Sequence, residues 1–463
     1  MNRPMTRVAK TYRSIAGELA RRVSAGQLRP GDKLPPQRDL AHELGVAVAT
    51  VSRAYAELKR RGLTVGEQGR GTFVAIKGVP RGPQPIVDRL REKIVDLRLS
   101  EPAIGAVHSE ALESSMKHVL RDALADGLLR YQPSLGRTID REAASMWLRT
   151  RGVEAAVEDV AICNGTQHAV FVALASLVKP GDCIVAEQLS HPSLQFLSRL
   201  MNLKVLPARL DDDGLDPDSL MHISIEHDVQ ALYLVPNLQN PTGTTMSLER
   251  RKTVAAVCAE RNITIVENDV YGGLIPEAPP PFVSLDICRT IYLTGFAKTH
   301  TTGLRSAYVL VPPELRDSAL AAIFATNTMA DPVMSAVAAD WVRSGVALEL
   351  LHWQRAEICA RRRIAAEVLG AEAVPEGFAN HLWLTLPEPL HAGGVIALAQ
   401  ARGILLGAPN SFAVGRTAIP NAIRIGLGAA GDRADLRSAL TEVRDVLTLL
   451  SDTPRNYAFA GII

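Results

Sequence analysis

Lys298 lies three residues beyond a strand-like apolar run, TIYLTG (290–295), inside the segment GFAKTHTTGLR (295–305). A lysine buried at a strand end is costly as a cation, because its charge loses hydration. Condensed with an aldehyde to a Schiff base, it sheds that cost and gains a covalently attached partner. Arg305, seven residues on, can clamp a phosphate through parallel N–H groups. Asp269 closes the run ITIVEND (263–269). A carboxylate at that place can hold a pyridinium N–H and keep an aromatic ring an electron sink. Asn240, in NPTG (240–243), and Tyr271, in NDVYG (268–272), can donate to a phenolic oxygen. Gly165 and Thr166, in NGTQ (164–167), stand between a strand and a helix, where backbone N–H groups receive phosphate. Aldehyde, phosphate, phenolic oxygen and pyridine together describe pyridoxal 5'-phosphate. Singly these signals are weak: NPTG is often a plain turn, and a lysine after Phe-Ala is usually on the surface. Their shared order, each at a strand end, carries the reading.

The elements that position these residues alternate. Apolar runs at 160–164, 183–187, 231–236, 263–269, 290–295 and 306–313 read as strands, and 167–178 and 247–261 as amphipathic helices. Such alternation predicts an α/β domain with a mostly parallel sheet covered on both faces. Ligands of such sheets bind at the carboxyl ends of the strands, where the motifs fall.

A chain of 463 residues predicts two or three domains, and its charge is unevenly spread. Residues 1–80 hold 15 Lys and Arg against 6 Asp and Glu, a balance of +9, so the rest carries −7 of an overall +2. A basic head on an acidic body predicts a polyanionic partner for the head. In it, Tyr12, Ile15, Ala16, Leu19 and Val23 recur at helical spacing up to Gly26. A short second helix runs from Asp39 to Leu44, and Gly45 makes a turn. Val51, Ala54, Tyr55 and Leu58 give a third helix its apolar face, while Ala49, Thr50, Ser52 and Arg53 occupy the free one. The segment 63–75 then alternates as a hairpin tipped by Arg70. Three helices and a hairpin predict a winged helix-turn-helix with its last helix in the major groove of duplex DNA. Arg53 can reach a base edge or phosphate, Arg70 a phosphate or the minor groove, and Arg38 the backbone. Taken alone, any of these arginines is as easily a solvated surface charge.

The expected boundaries are 1–77 for the head, 78–94 for a Pro/Gly-rich linker and 95–463 for the large domain, with a short helix over 86–95. Five scattered cysteines suggest neither a zinc site nor disulfides, and no metal site is expected. The N-terminal residues lack a signal-peptide pattern, and no run of about 18 apolar residues occurs. A cytoplasmic protein is expected.

LRPGDKLPPQRDLAHELGV (28–46), TVSRAYAELKRRGL (50–63) and GRGTFV (69–74) closely resemble the GntR-type winged-helix family. Residues from about 95 onward resemble a fold-type I aminotransferase, and the fusion resembles MocR-type regulators. The resemblance implies Lys298 as the Schiff-base lysine, Asp269 as the pyridine partner, and Asn240 and Tyr271 at the phenolic oxygen. It also implies His191, in LSHPSL, as the group stacked on the cofactor ring. Tyr131, in YQPSLG, is implied to reach the phosphate of a neighbouring subunit in a homodimer. Arg424, in IRIGLG (423–428), is implied to grip the α-carboxylate of an amino-compound effector.

Three departures follow. Ala47 and Val48 replace a frequent Ser-Arg pair, removing a helix cap and a DNA contact. Gly295 replaces a serine phosphate ligand, so Thr294 or backbone is expected to substitute. His191 replaces a common Tyr or Trp, and as a histidine it is expected to titrate. The expected function is a DNA-binding regulator that binds pyridoxal phosphate on Lys298 and responds to it or to an amine, with little or no turnover. The alternatives are an active aminotransferase with a vestigial head, or a DNA-binding protein with a purely structural large domain. Intact Lys298, Asp269, Asn240 and Arg305 speak against the last.

Overall fold

The computed structural model describes residues 11–25, 27, 28, 32–67, 71–74, 94–121, 127–285, 289–388, 390–415 and 417–452. Arg70, Cys288 and the linker at 78–93 lie outside the described residues.

Helix α1 (Tyr12–Ser24) starts at a reciprocal cap, in which Thr11 Oγ1 accepts from Ser14 N at 3.2 Å and Ser14 Oγ from Thr11 N at 3.0 Å. Helix α2 (Gln37–Leu44) stops where Gly45 turns left-handed at φ 63°. Helix α3 (Val48–Arg60) follows, then the antiparallel pair β1 (Thr64–Glu67) and β2 (Gly71–Val74). Ile15, Leu19, Leu40, Leu44, Val51 and Leu58 form a separate core for this head. Each such side chain, fully buried, contributes roughly 1.5–3 kcal/mol.

Strand β3 (Val95–Asp96) opens the large domain. It replaces the end of the helix expected over 86–95. Its partner, met later, lies some three hundred residues away, so local periodicity could not show it. Helices α4 (Ala106–Arg121) and α5 (Thr138–Arg149) follow. Then come β4 (Val160–Cys163), α6 (Thr166–Leu177), β5 (Cys183–Glu187), α7 (Pro192–Leu200) and β6 (Lys204–Ala208). A small hairpin, β7 (Leu210–Asp211) with β8 (Gly214–Leu215), leads into α8 (Pro217–Glu226). Next are β9 (Val229–Leu234), α9 (Leu248–Glu260), β10 (Thr264–Asn268), β11 (Thr290–Gly295) and β12 (Ala307–Leu310).

These strands build a seven-stranded sheet in the order β4-β12-β11-β10-β9-β5-β6. All neighbours are parallel except β12, which is antiparallel to both β11 and β4. Helices α5 and α6 share one apolar core with its face, joined by α10 (Arg316–Asn327) and α11 (Pro332–Ser344). Helices α8 and α9 cover the other.

The long α12 (Val346–Leu369) leads to a second layer. It comprises β13 (His381–Thr385), α13 (Ala392–Ala401), β14 (Ile404–Leu405), β15 (Ala422–Gly426) and α14 (Arg433–Asp452). Strand β13 pairs with β15, and β14 pairs in parallel with β3. Leu97, Leu382, Ile404, Ile423 and Leu440 fill the core of this layer.

Candidate functional site

A cavity lies at the edge of the sheet where β4, β5, β9, β10 and β11 end. Its lining includes Thr166, His191, Asn240, Asn268, Lys298 and Arg305. The sequence had spread these residues over some 140 positions; the strand ends bring them together.

Lys298 follows β11 by three residues, and its Nζ donates to Ser100 O at 2.5 Å. Burial, reinforced by the charge of Arg424, lowers its pKa to about 8. A sizeable fraction is therefore the nucleophilic free base near neutrality. Tyr271 presents its ring 6.0 Å from that amine. Asn240 accepts from Arg424 Nη1 at 2.7 Å, which orients its amide so that Nδ2 points to Tyr271 OH at 3.4 Å. Two donors thus converge where a phenolic oxygen would be held.

At the other end, Gly165 precedes α6 with φ 83°, a backbone region that disfavours any side chain. A Cβ there would also collide with the guanidinium of Arg305. Arg305 is exposed into the cavity mouth and donates to Asn164 O at 3.3 Å. Thr166 Oγ1 is buried without a hydrogen-bond partner. An orphan hydroxyl, a helix start and an arginine around a glycine cradle fit a phosphate. Gln167 and Thr302 also line this end, and sequence reasoning had missed both. Thr294, which with backbone was one of two groups expected to stand in for the missing serine, is buried and donates to Asp269 O at 3.2 Å. Gly295 itself is crowded by Ala307 and Ser306 O, which leaves no room for a serine side chain at that point.

His191 caps α7 and lines the cavity. Its Nδ1 accepts from Ser193 N at 3.2 Å, so the neutral ring carries its proton on Nε2. Burial first, then the charges of Lys298 and Arg424, hold its pKa to about 3. The expectation that it titrates is corrected: the imidazole is neutral throughout the physiological range.

Asp269 is a second correction. Its Oδ1 accepts from Asn237 Nδ2 at 2.5 Å, and its Oδ2 from Tyr292 OH at 2.8 Å and Arg151 Nε at 3.0 Å. It is absent from the cavity lining. The cause is strand alternation: successive side chains of β10 face opposite ways, so Asp269 shares the side of Glu267 and Asn268 takes the other. Asn268 lines the cavity and donates to Tyr233 OH at 2.8 Å. The signal was present in the period of two.

Arg424 is buried on β15, donates to Arg98 O, and lies over the Phe412 ring at 4.6 Å. Residues 97–101 form a strap past the cavity. Leu97 O accepts from Gly426 N at 2.7 Å, Ser100 Oγ lies 3.1 Å from Tyr271 OH, and Glu101 O accepts from Asn380 Nδ2 at 3.2 Å. A Cβ on Gly426 or Gly428 would strike the carbonyl oxygen of Leu99 or Glu101, which explains the glycines of IRIGLG. Tyr131 is not at this cavity; it is 86% exposed.

On the head, α3 exposes Ser52 and Arg53 and half-exposes Thr50, and Arg38 is exposed on α2. Ala47 makes no side-chain cap.

Head and body define a class: a winged helix carried by an aminotransferase-type fold. The chain belongs to the class I and II aminotransferase family, whose model matches residues 92–443. The model of the bacterial regulatory proteins of the gntR family matches residues 11–74. Over 94% of both chains it is 27% identical to the uncharacterised HTH-type transcriptional regulator YdeF of Bacillus subtilis. It is 26% identical to the HTH-type pyridoxine biosynthesis transcriptional regulator PdxR of Corynebacterium glutamicum, covering 94% of this chain and 95% of that one. It is also 26% identical to the probable rhizopine catabolism regulatory protein MocR of Rhizobium meliloti, over 81% and 79%. An archaeal alanine:glyoxylate aminotransferase shares the fold with a TM-score of 0.71, at 19% identity over 78% of this chain and 92% of that one.

Proposed function

We propose that this chain is a DNA-binding transcriptional regulator that holds pyridoxal phosphate covalently on Lys298 and responds to it or to an amino compound. One observation supports the reading: Lys298, Thr166, Arg305, Asn240 and Tyr271 line one cavity of a chain whose head exposes Ser52 and Arg53 on α3. The cofactor, when bound, supplies an aldehyde that condenses with primary amines. Lys298 would anchor it. Gly165, Thr166 and Arg305 would bind its phosphate, and Asn240 and Tyr271 would orient its phenolic oxygen. His191 would lie against the ring as a neutral plane. Arg424 would receive an effector carboxylate once released from the strap. Thr50, Ser52 and Arg53 would meet base edges or phosphates, with Arg38 on the DNA backbone. The full-length relatives named as transcriptional regulators support the role of the head.

The test is borohydride reduction followed by mass mapping, beside operator binding with and without pyridoxal phosphate. Wild type should carry the label on Lys298, and Lys298→Ala should carry none and lose the cofactor-dependent change in operator binding. Label on another lysine, or operator occupancy indifferent to every cofactor and amine tried while keto acid accumulates at about 1 s⁻¹ or faster, would favour an enzyme instead.

A further inference from the structure

We propose that Asn268, rather than a carboxylate, faces the ring nitrogen of the bound cofactor, so that the site captures amines without carrying transamination through. The proposal rests on the pyridoxal phosphate reading above.

Ring geometry sets the frame. With the aldehyde carbon at Lys298, the phenolic oxygen at Asn240 and Tyr271, and the phosphate arm at Arg305, the ring nitrogen lies para to the aldehyde. It must then sit over the sheet floor, at the ends of β9 and β10. The polar groups there are the Asn268 amide and the Tyr233 hydroxyl, both in the cavity lining and 2.8 Å apart. Among the described residues, no Asp or Glu lines the cavity. The neighbouring carboxylates are committed to the opposite side of β10. Asp269 is paired with Arg151 at 3.0 Å, and Glu267 stands 3.9 Å from Arg251.

The chemistry follows from charge. A pyridine nitrogen keeps a proton in a buried site when a carboxylate holds it there. The Asn268 amide carries no negative charge, and its carbonyl oxygen accepts from Val270 N at 3.4 Å, which leaves its N–H groups to offer. Tyr233 keeps its own proton, because burial pushes its pKa up. Both groups therefore donate toward the nitrogen lone pair, and the ring remains a free base. A free-base ring withdraws electrons less strongly, so the α-proton of a captured amine stays in place. No keto acid leaves, and an amine acts as a reversible ligand. Asn268 is in this sense a positioning and specificity residue: it sets what the ring can do.

The experiment uses full-length protein loaded with pyridoxal phosphate labelled with ¹⁵N in the ring. At neutral pH the wild-type ring nitrogen should resonate at the downfield position of an unprotonated pyridine. Asn268→Asp should move it upfield to the pyridinium position. The variant should also convert L-alanine and L-glutamate to keto acids in single turnovers at least about tenfold faster than wild type. A pyridinium signal in wild type overturns the proposal and leaves the cofactor reading intact. Failure of wild type to retain any borohydride-fixed label overturns the cofactor reading itself. The wild-type spectrum decides the question even if the variant does not fold.

Discussion

A lysine can be a cation or a nucleophile, and its surroundings set the balance. Burial and the charge of Arg424 bring Lys298 down to about 8, against an ordinary value of about 10.4. An amine attacks as its free base. The rate of pyridoxal phosphate attachment should therefore climb with pH and level off above about 8. Arg424→Ala removes a positive neighbour, so its plateau should shift to higher pH. Stopped-flow absorbance across pH 6–10 checks both; a wild-type rate still rising near the ordinary lysine value would contradict this environment. At this scale the sequence was legible for residues whose motif alone defines a place, such as Lys298, Asn240 and Arg305. It misled at Asp269, whose carboxylate is held away from the cavity that Asn268 lines. Side-chain direction, not chemical aptitude, decides which of two adjacent residues meets a ligand.

Elements were more legible than residues. Helices α1 and α3, the wing and the central strands all stand where periodicity placed them, because each buries a stripe of its own sequence against a nearby partner. Strand β3 did not show, since its pairing partner among the described residues is β14, far along the chain. Helix α3 follows its N-cap Ala47, whose extended backbone (φ −66°, ψ 144°) suits a cap that alanine cannot make. Ala47→Ser should stabilise the head by about 1 kcal/mol. Hydrogen exchange of peptides from the first turn of α3, measured on the full chain, should slow by about five-fold. Unchanged exchange would mean that the Thr50 N–H, already bonded to Ala47 O at 2.9 Å, leaves nothing for a cap to satisfy.

For the molecule as a whole, the site as one chain presents it lacks a role for Tyr131, which is 86% exposed. If a partner copy donates it, defects should complement. In a hybrid of Lys298→Ala and Tyr131→Ala chains, one of the two sites would have both native groups. Co-expressed chains purified as hybrids should recover a wild-type-affinity fraction that neither parent has. No recovery would place Tyr131 outside the cofactor site. The fusion of a basic head to an acidic body was plain in charge and motif. The pairing of copies was not, because a single sequence does not state what its exposed tyrosines touch.

The strap at 97–101 has one more consequence. Lys298, in the cavity lining, and Arg424, buried beside it, each hold a backbone oxygen of the same chain, at Ser100 and Arg98. On the proposed reading, an effector carboxylate would compete with Arg98 O for Arg424, as the cofactor would with Ser100 O for Lys298. The effector's measured affinity is then the intrinsic affinity scaled by the fraction of molecules whose strap has let go. Loosening the strap by substitution should then sharpen sensitivity to effector, as if part of the dose had already been given. In sequence the strap runs back through β3 toward the winged-helix head, so a segment released by ligand would be the one that leads to the proposed DNA-binding surface.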